Sequence, residues 1–264
     1  RCHIDGAFPE AFVDSLTEAE VIKWFVALTD NSGPSAANRC WEILRAAFNK
    51  AESWGYRVEN TNPCLAVRQN KRIHRTRFLS NDELTRLGVA LSRAQESDDR
   101  MEQVHATAIL LLILTGCRMG EVLGLQWSDV KGNRLLLRDS KTGPRTVWLG
   151  DEARALVQAL PREGSNPWLF WNWRFKKPIR NLGHVWDRYR NEVGLKNVHL
   201  HDLRHTFASH AVMGKENLAM VGKLLGHAKV ASTARYAHFD DDHLLEAAEV
   251  IGAAIERAML TGKH

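Results

Sequence analysis

Between Arg68 and Arg77 the chain reads RQNKRIHRTR, five cations in ten residues with no acid among them. Such a run resists closure into an apolar interior, because each cation would lose its hydration without gaining a partner. Like charges in series also repel and keep the backbone open. The chain therefore has to fold on either side of this stretch. Composition changes there as well: residues 1–67 carry six Lys and Arg against nine Asp and Glu, whereas the 264-residue chain as a whole has a net charge of +5. With 44% hydrophobic residues, a chain of this length has enough apolar surface for a core in each part. The expected division is a small helical domain over 1–70, a basic linker over 71–79 and a larger domain over 80–264.

Hydrophobic spacing fills in the elements. Thr17 to Thr29 and Ser35 to Trp54 carry apolar residues three and four positions apart, with Gly33-Pro34 between them, so two helices separated by a break are expected. Ser80 and Glu83 form a capping-box pattern that starts the next helix. Val104 to Leu114 (VHATAILLLIL) is almost wholly apolar and reads as a buried helix ended by Gly116, with a new helix running through Arg118, Glu121 and Leu125. Arg134–Arg138 and Thr146–Leu149 are β-rich runs around Ser140-Lys141-Thr142-Gly143-Pro144, a turn composition, which predicts a β-hairpin carrying Lys141 near its tip or shoulder. Helical spacing returns near 151–160, 178–193, 201–213, 216–225 and 242–260. The fold class expected is mainly α with a small β-hairpin or sheet (α+β), closed by a C-terminal packing helix.

Several classes of function are disfavoured. No apolar run approaches the roughly 18 residues of a membrane span, and no signal-like pattern opens the chain, so the expectation is a cytoplasmic protein without a membrane partner. Cys2, Cys40, Cys64 and Cys117 are scattered without a C-x-x-C pair, which suits reduced thiols. A chain that opens on Arg1 reads as a fragment or processed product. The sequence pI of about 9.1 leans toward a polyanionic partner. A second basic patch strengthens this: Arg174, Lys176, Lys177, Arg180, Arg188 and Arg190 face one acid, Asp187, among Trp171, Trp173, Phe175, Trp186 and Tyr189. Cations that neutralise phosphate beside rings that stack suit a nucleic-acid surface; a solvated face over core tryptophans accounts for that segment equally well.

The segment HLHDLRHTFASH (residues 199–210) packs in four histidines and approaches the zinc pattern H-E-x-x-H. Arg204 argues against a metal. It lies three residues from His201, on the same helical face, and would set a permanent charge beside a dication. An anion fits the same face, since Arg204 offers forked donors to phosphate oxygens and His201 adds another donor. Arg118, near a new helix N-terminus, and Lys141 are further cations suited to such a ligand.

These residues stand in an order that resembles the tyrosine recombinases, the phage-integrase family. Thr115 to Leu125 (TGCRMGEVLGL) with Trp127 to Val130 resembles the family's first signature. Ser140 to Gly143 followed by Arg145 to Leu149 resembles its β-hairpin lysine, with Trp148 where many relatives have proline. His201 to Thr206 (HDLRHT) is similar to its H-x-L-R-H box. Leu225-Gly226-His227 and Tyr236 complete the series. The join from Asn62-Pro63-Cys64 to Leu79-Ser80 resembles integrases of prophages and genomic islands, whose chains add an N-terminal arm-binding domain.

The resemblance implies a helical, SAM-like core-binding domain and a tyrosine-recombinase catalytic domain. The implied activity is site-specific DNA cleavage and rejoining through a 3′-phosphotyrosine, without metal or nucleotide cofactor, for integration or excision of a mobile element or viral genome. Tyr236 is implied as nucleophile and Arg118 and Arg204 as clamps on the non-bridging oxygens. Lys141 is implied as general acid, His201 as assistant in proton transfer and His227 as phosphate donor. Glu121 and His205 support them. Arg68, Lys71, Arg72, Arg75, Arg77, Arg174, Lys176, Lys177 and Arg180 are the expected DNA contacts. The partner implied is double-stranded DNA, on which a homotetramer assembles from free monomers, with accessory DNA-bending proteins, in the bacterial cytoplasm. The rivals are a resolvase or type IB topoisomerase-like enzyme with the same chemistry, a non-catalytic DNA-binding regulator, and a zinc hydrolase.

Overall fold

The computed structural model describes residues 2–72, 77–138, 143–162, 164–214, 216–227 and 233. It divides into two compact units, Arg1–Arg75 and Thr76–His264. The first is helical: α1 (Cys2–Asp5), α2 (Glu18–Ser32) and α3 (Pro34–Ser53), followed by a 3-10 turn at Pro63–Ala66. Thr17 and Glu20 cap α2 reciprocally, the Thr17 hydroxyl accepting the Glu20 N–H and the Glu20 carboxylate accepting the Thr17 N–H at 2.9 Å. Gly33 separates α2 from α3 at φ 86°, and Pro34 occupies the first helical position of α3, where its missing N–H costs nothing. Val21, Trp24, Phe25 and Leu28 of α2 meet Ala37, Trp41, Leu44 and Phe48 of α3 in a core of their own. The Trp41 indole satisfies its buried N–H on the Cys64 carbonyl at 3.0 Å. Asn38 and Asn70 exchange two hydrogen bonds at 2.9 Å, which ties the chain to this unit as far as Asn70.

The second unit opens with the Ser80–Glu83 capping box. Its elements are α4 (Asn81–Gln95), α5 (Arg100–Thr115), α6 (Met119–Leu123), β1 (Val130–Lys131), β2 (Arg134–Leu137), β3 (Arg145–Trp148), α7 (Asp151–Ala159), β4 (Trp171–Asn172), β5 (Lys177–Pro178), α8 (Gly183–Glu192), α9 (Asp202–Met213) and α10 (Leu218–Leu225). The near-continuous apolar run becomes α5, which packs against α4, α7 and α9. It buries Val104, Ala106, Ala108, Ile109, Leu111 and Leu112. A helix covered from several sides has no need of a polar face, which is why this segment lacks amphipathic spacing.

β2 and β3 pair antiparallel in the register Leu135↔Val147 and Leu137↔Arg145. The short strand β1, which the sequence pattern did not suggest, adds a third member on the other edge of β2. A second departure lies at 178–193, read from the sequence as one helix. Lys177–Pro178 is instead a strand paired with Trp171–Asn172, the Ile179 N–H continues that pairing onto the Phe170 carbonyl, and helix begins only at Gly183. Pro178 has no N–H to give a helix, and the Asn181 side chain accepts the Gly183 N–H at 2.7 Å, so the chain turns before it coils. No described helix is long and apolar enough to cross a membrane. The C-terminal helix expected near 242–260 lies outside the described residues.

Candidate active site

The ends of α5 and α10, the start of α6 and the first turn of α9 converge in one place. α5 stops because Gly116 takes the left-handed conformation at φ 61°. A Cβ at Gly116 would overlap the Phe207 ring and the Leu225 side chain, so glycine is needed there for space as well as for conformation. Arg204 of α9 is 4% exposed and reaches both helix ends, donating to the Gly116 carbonyl at 2.6 Å and the Leu225 carbonyl at 2.7 Å. Helix C-terminal carbonyls carry partial negative charge, so the buried guanidinium is compensated by the dipoles it touches, with the Glu121 carboxylate acting on it as well. Burial, helped by Arg118, brings the Arg204 pKa down to about 10; the group remains a cation at neutral pH.

Arg118 sits at the N-cap of α6 with an extended backbone. Its backbone N–H donates to Glu121 Oε2 at 2.9 Å and its Nη1 to Glu121 Oε1 at 2.8 Å. Arg145, the first residue of β3, donates from Nη2 to Glu121 Oε2 at 2.8 Å and from Nη1 to the Leu224 carbonyl at 3.1 Å. The Glu121 side chain is only 6% exposed. Burial alone would raise its pKa, but hydrogen bonds from the Arg118 backbone and the Arg145 side chain outweigh it and hold the carboxyl below its usual range. Three guanidiniums thus surround one carboxylate, an excess of positive charge. The Arg118 side chain, 28% exposed, is the most accessible of the three.

Beyond α10 the chain turns at Gly226, φ 66°, to His227, whose backbone N–H donates to the Gly222 carbonyl. The His227 Nδ1 lies 2.8 Å from the Thr233 hydroxyl. In the HDLRHT segment, His201 is the exposed N-cap of α9, and its ring stands edge-on to that of buried His205 at 5.2 Å. Asp202 accepts the His199 N–H at 2.8 Å and the Thr206 hydroxyl accepts the Leu79 N–H at 2.9 Å, so this box also anchors the start of the unit. Lys141, Tyr236 and Arg75 lie outside the described residues. Among the described residues no three His, Cys, Asp or Glu gather in a metal-binding group. Arg145 had no role in the sequence reading, although it stands beside the hairpin motif; its partners lie 24 and 79 residues away.

The surface cations divide. Arg68 and Lys71 are exposed, whereas Arg72 pairs with Glu42 and Arg77 forms a fork with Glu83. Arg174, Lys176, Lys177 and Arg180 are all exposed around β4 and β5, with Lys177 over the Phe175 ring at 5.3 Å and Arg180 over Trp168 at 4.9 Å. Arg188 and Arg190 are paired, with Glu102 and Asp187 respectively. The patch is therefore a hairpin rim of four exposed cations followed by a helix with matched charges.

A mainly helical domain with small antiparallel sheets holds buried and half-buried arginines at a junction of helix ends, an arrangement suited to an anionic ligand. Residues 77–243 match the phage integrase family, and the chain belongs to that family: it is a tyrosine site-specific recombinase. Tyrosine recombinase XerC of Thermodesulfovibrio yellowstonii is 30% identical over 250 residues, covering 87% of this chain and 80% of its own. Tyrosine recombinase XerD of Brucella melitensis is 28% identical over 233 residues, covering 80% and 74%. Among solved structures, a lambda integrase tetramer bound to a Holliday junction matches with a TM-score of 0.68 at 22% identity, covering 86% of this chain and 68% of that one. The chain thus comprises the tyrosine-recombinase catalytic fold and a small helical unit.

Proposed function

We propose that this recombinase cuts and rejoins duplex DNA through a covalent 3′-phosphotyrosine formed by Tyr236, in the integration or excision of a mobile element. The observation that carries the reading is the Arg204 fork. It holds the Arg118 segment and the His227 segment, 88 and 21 residues away by its hydrogen-bond partners, against a single point of α9. The Tyr236 oxygen attacks the scissile phosphorus in line and the 5′-oxygen leaves with a proton, so the energy of the broken ester is kept in the new one. Rejoining reverses the step, with a 5′-hydroxyl as nucleophile and tyrosine as leaving group, and needs no nucleotide.

Arg118 and Arg204 offset the charge that grows on the non-bridging oxygens. Lys141 supplies the leaving-group proton, His201 assists deprotonation of the tyrosine, and His227 donates to the phosphate. Glu121 holds Arg118, and His205 packs under His201. The two units and the residues 71–79 between them contact the duplex, with Arg68, Lys71, Arg72, Arg75, Arg174, Lys176, Lys177 and Arg180 on phosphates, while Arg77 is held by Glu83. Four protomers, monomeric when free, assemble on two sites with accessory DNA-bending proteins in the bacterial cytoplasm. The lambda integrase tetramer supports the assembly by analogy of fold. A second reading, in which the same strand chemistry resolves DNA rather than integrates it, is favoured by relatives named recombinases rather than integrases; the DNA products tell the two apart.

Nicked duplexes selected from a randomised pool by binding to the protein test the chemistry. Incubated with the protein in EDTA, they are expected to yield a covalent adduct that Tyr236→Phe abolishes. Loss of the adduct in EDTA, or its persistence in the Phe variant, overturns the proposal.

A further inference from the structure

We propose that Arg145 is a positioning residue for strand cleavage, a strut that fixes the Arg118–Glu121 pair and joins β3 to the end of α10. The inference rests on the recombinase reading of this site and adds a residue to it. One guanidinium meets three segments: Glu121 of α6 at 2.8 Å, the Leu224 carbonyl of α10 at 3.1 Å and the Cys117 sulfur at 3.6 Å. Its own backbone closes the hairpin opposite Leu137. Gly226 is part of the same fit, because a Cβ there would collide with the Arg145 side chain.

The energetics argue for geometry rather than stability. The Arg145 side chain is 10% exposed, and its Nε has no acceptor among the described residues. Burying a guanidinium with an unmatched N–H costs stability, and a buried ion pair replaced as a whole by well-packed apolar side chains is commonly neutral or better. What only a forked cation can do is hold a carboxylate and a helix-end carbonyl at once, in fixed directions. Glu121 then presents Oε1 to Arg118, whose accessible guanidinium is the group proposed to meet the phosphate. Arg145 lies behind that layer, its two Nη groups already taken by Glu121 and the Leu224 carbonyl.

The test compares wild type with Arg145→Met, Arg145→Lys, Glu121→Gln and the Met/Gln double variant. The readouts are single-turnover covalent capture of the nicked duplexes above, duplex affinity, and Tm. Arg145→Met is expected to slow capture about 30- to 100-fold, as for loss of a charged donor network, with affinity within about threefold of wild type. Arg145→Lys, a point charge that reaches one acceptor, is expected to be about tenfold slow at near wild-type Tm. The double variant is expected to be no slower than the slower single variant. Loss of Arg145 also removes one cation facing Glu121, whose other charged or titratable neighbours among the described residues are Cys117, Arg118 and Arg204. The acid limb of the capture rate should therefore move to higher pH.

Wild-type capture rates in Arg145→Met, multiplicative losses in the double variant, or equal losses in binding and capture overturn the proposal. If the Met variant does not fold, a wild-type rate in Arg145→Lys overturns it. Wild-type protein that captures no duplex overturns the chemistry assigned to Tyr236 instead, and thermal unfolding then decides the strut: Tm losses for Arg145→Met and Glu121→Gln that simply add count against it.

Discussion

At the scale of single residues, the site is a problem of keeping one carboxylate charged among cations under partial burial. Glu121 has its pKa held below the usual value, and a group depressed in the folded state stabilises folding above its unfolded pKa. That contribution is lost as pH falls through the folded pKa. Glu121→Gln is therefore expected to cost about 3 kcal/mol at neutral pH, where it leaves Arg145 without its anion. The gap should narrow as pH falls below the ordinary glutamate pKa of about 4.3 and on through the lower folded value. Urea unfolding of both proteins from neutral to acidic pH measures this, and a gap that stays constant with pH contradicts it. The same scale shows why Arg204 was legible in the sequence and Arg145 was not. Arg204 lies inside a box whose spacing alone sets a cation and a histidine near each other on one helix. Arg145 shows nothing locally to distinguish it from a solvated arginine at a strand end, since its burial comes from α6 and α10.

At the scale of elements, local signals succeeded where one segment carries its own start, stop or burial. The Ser80–Glu83 cap, the Gly116 stop and the apolar run of α5 each act within a few residues, and each forms as the pattern predicts. The β4–β5 hairpin was missed because its strands are two residues long, too short for alternation to register. α5 is the element on which the rest of the second unit leans, and Leu111 is fully buried within it. Leu111→Ala is expected to destabilise the protein by about 2–5 kcal/mol through lost transfer energy and the cavity left behind. An exposed residue of the same helix, Leu114, is expected to cost under about 1 kcal/mol on the same change. Thermal or denaturant unfolding of the two variants separates them, and equal losses would contradict a central role for α5.

At the scale of the whole molecule, net charge says little until each cation's partner is known. Of the cations that sequence assigned to DNA, Arg72 and Arg77 have carboxylate partners, while Arg174, Lys176, Lys177 and Arg180 ring a small hairpin and are exposed. A cation in contact with phosphate releases a condensed counterion on binding, so each such contact adds about 0.9 to the slope of log affinity against log salt. Arg77 makes a forked, half-buried pair with Glu83, and its charge is already compensated before DNA arrives. Alanine at Arg174, Lys176 or Lys177 is therefore expected to lower the slope by about one each, whereas Arg77→Ala should act on stability and leave the slope nearly unchanged. Titration of a duplex at several salt concentrations measures both. A slope unmoved by all three hairpin substitutions would take the β4–β5 rim out of the DNA surface, leaving the solvated-face reading of this segment in its place.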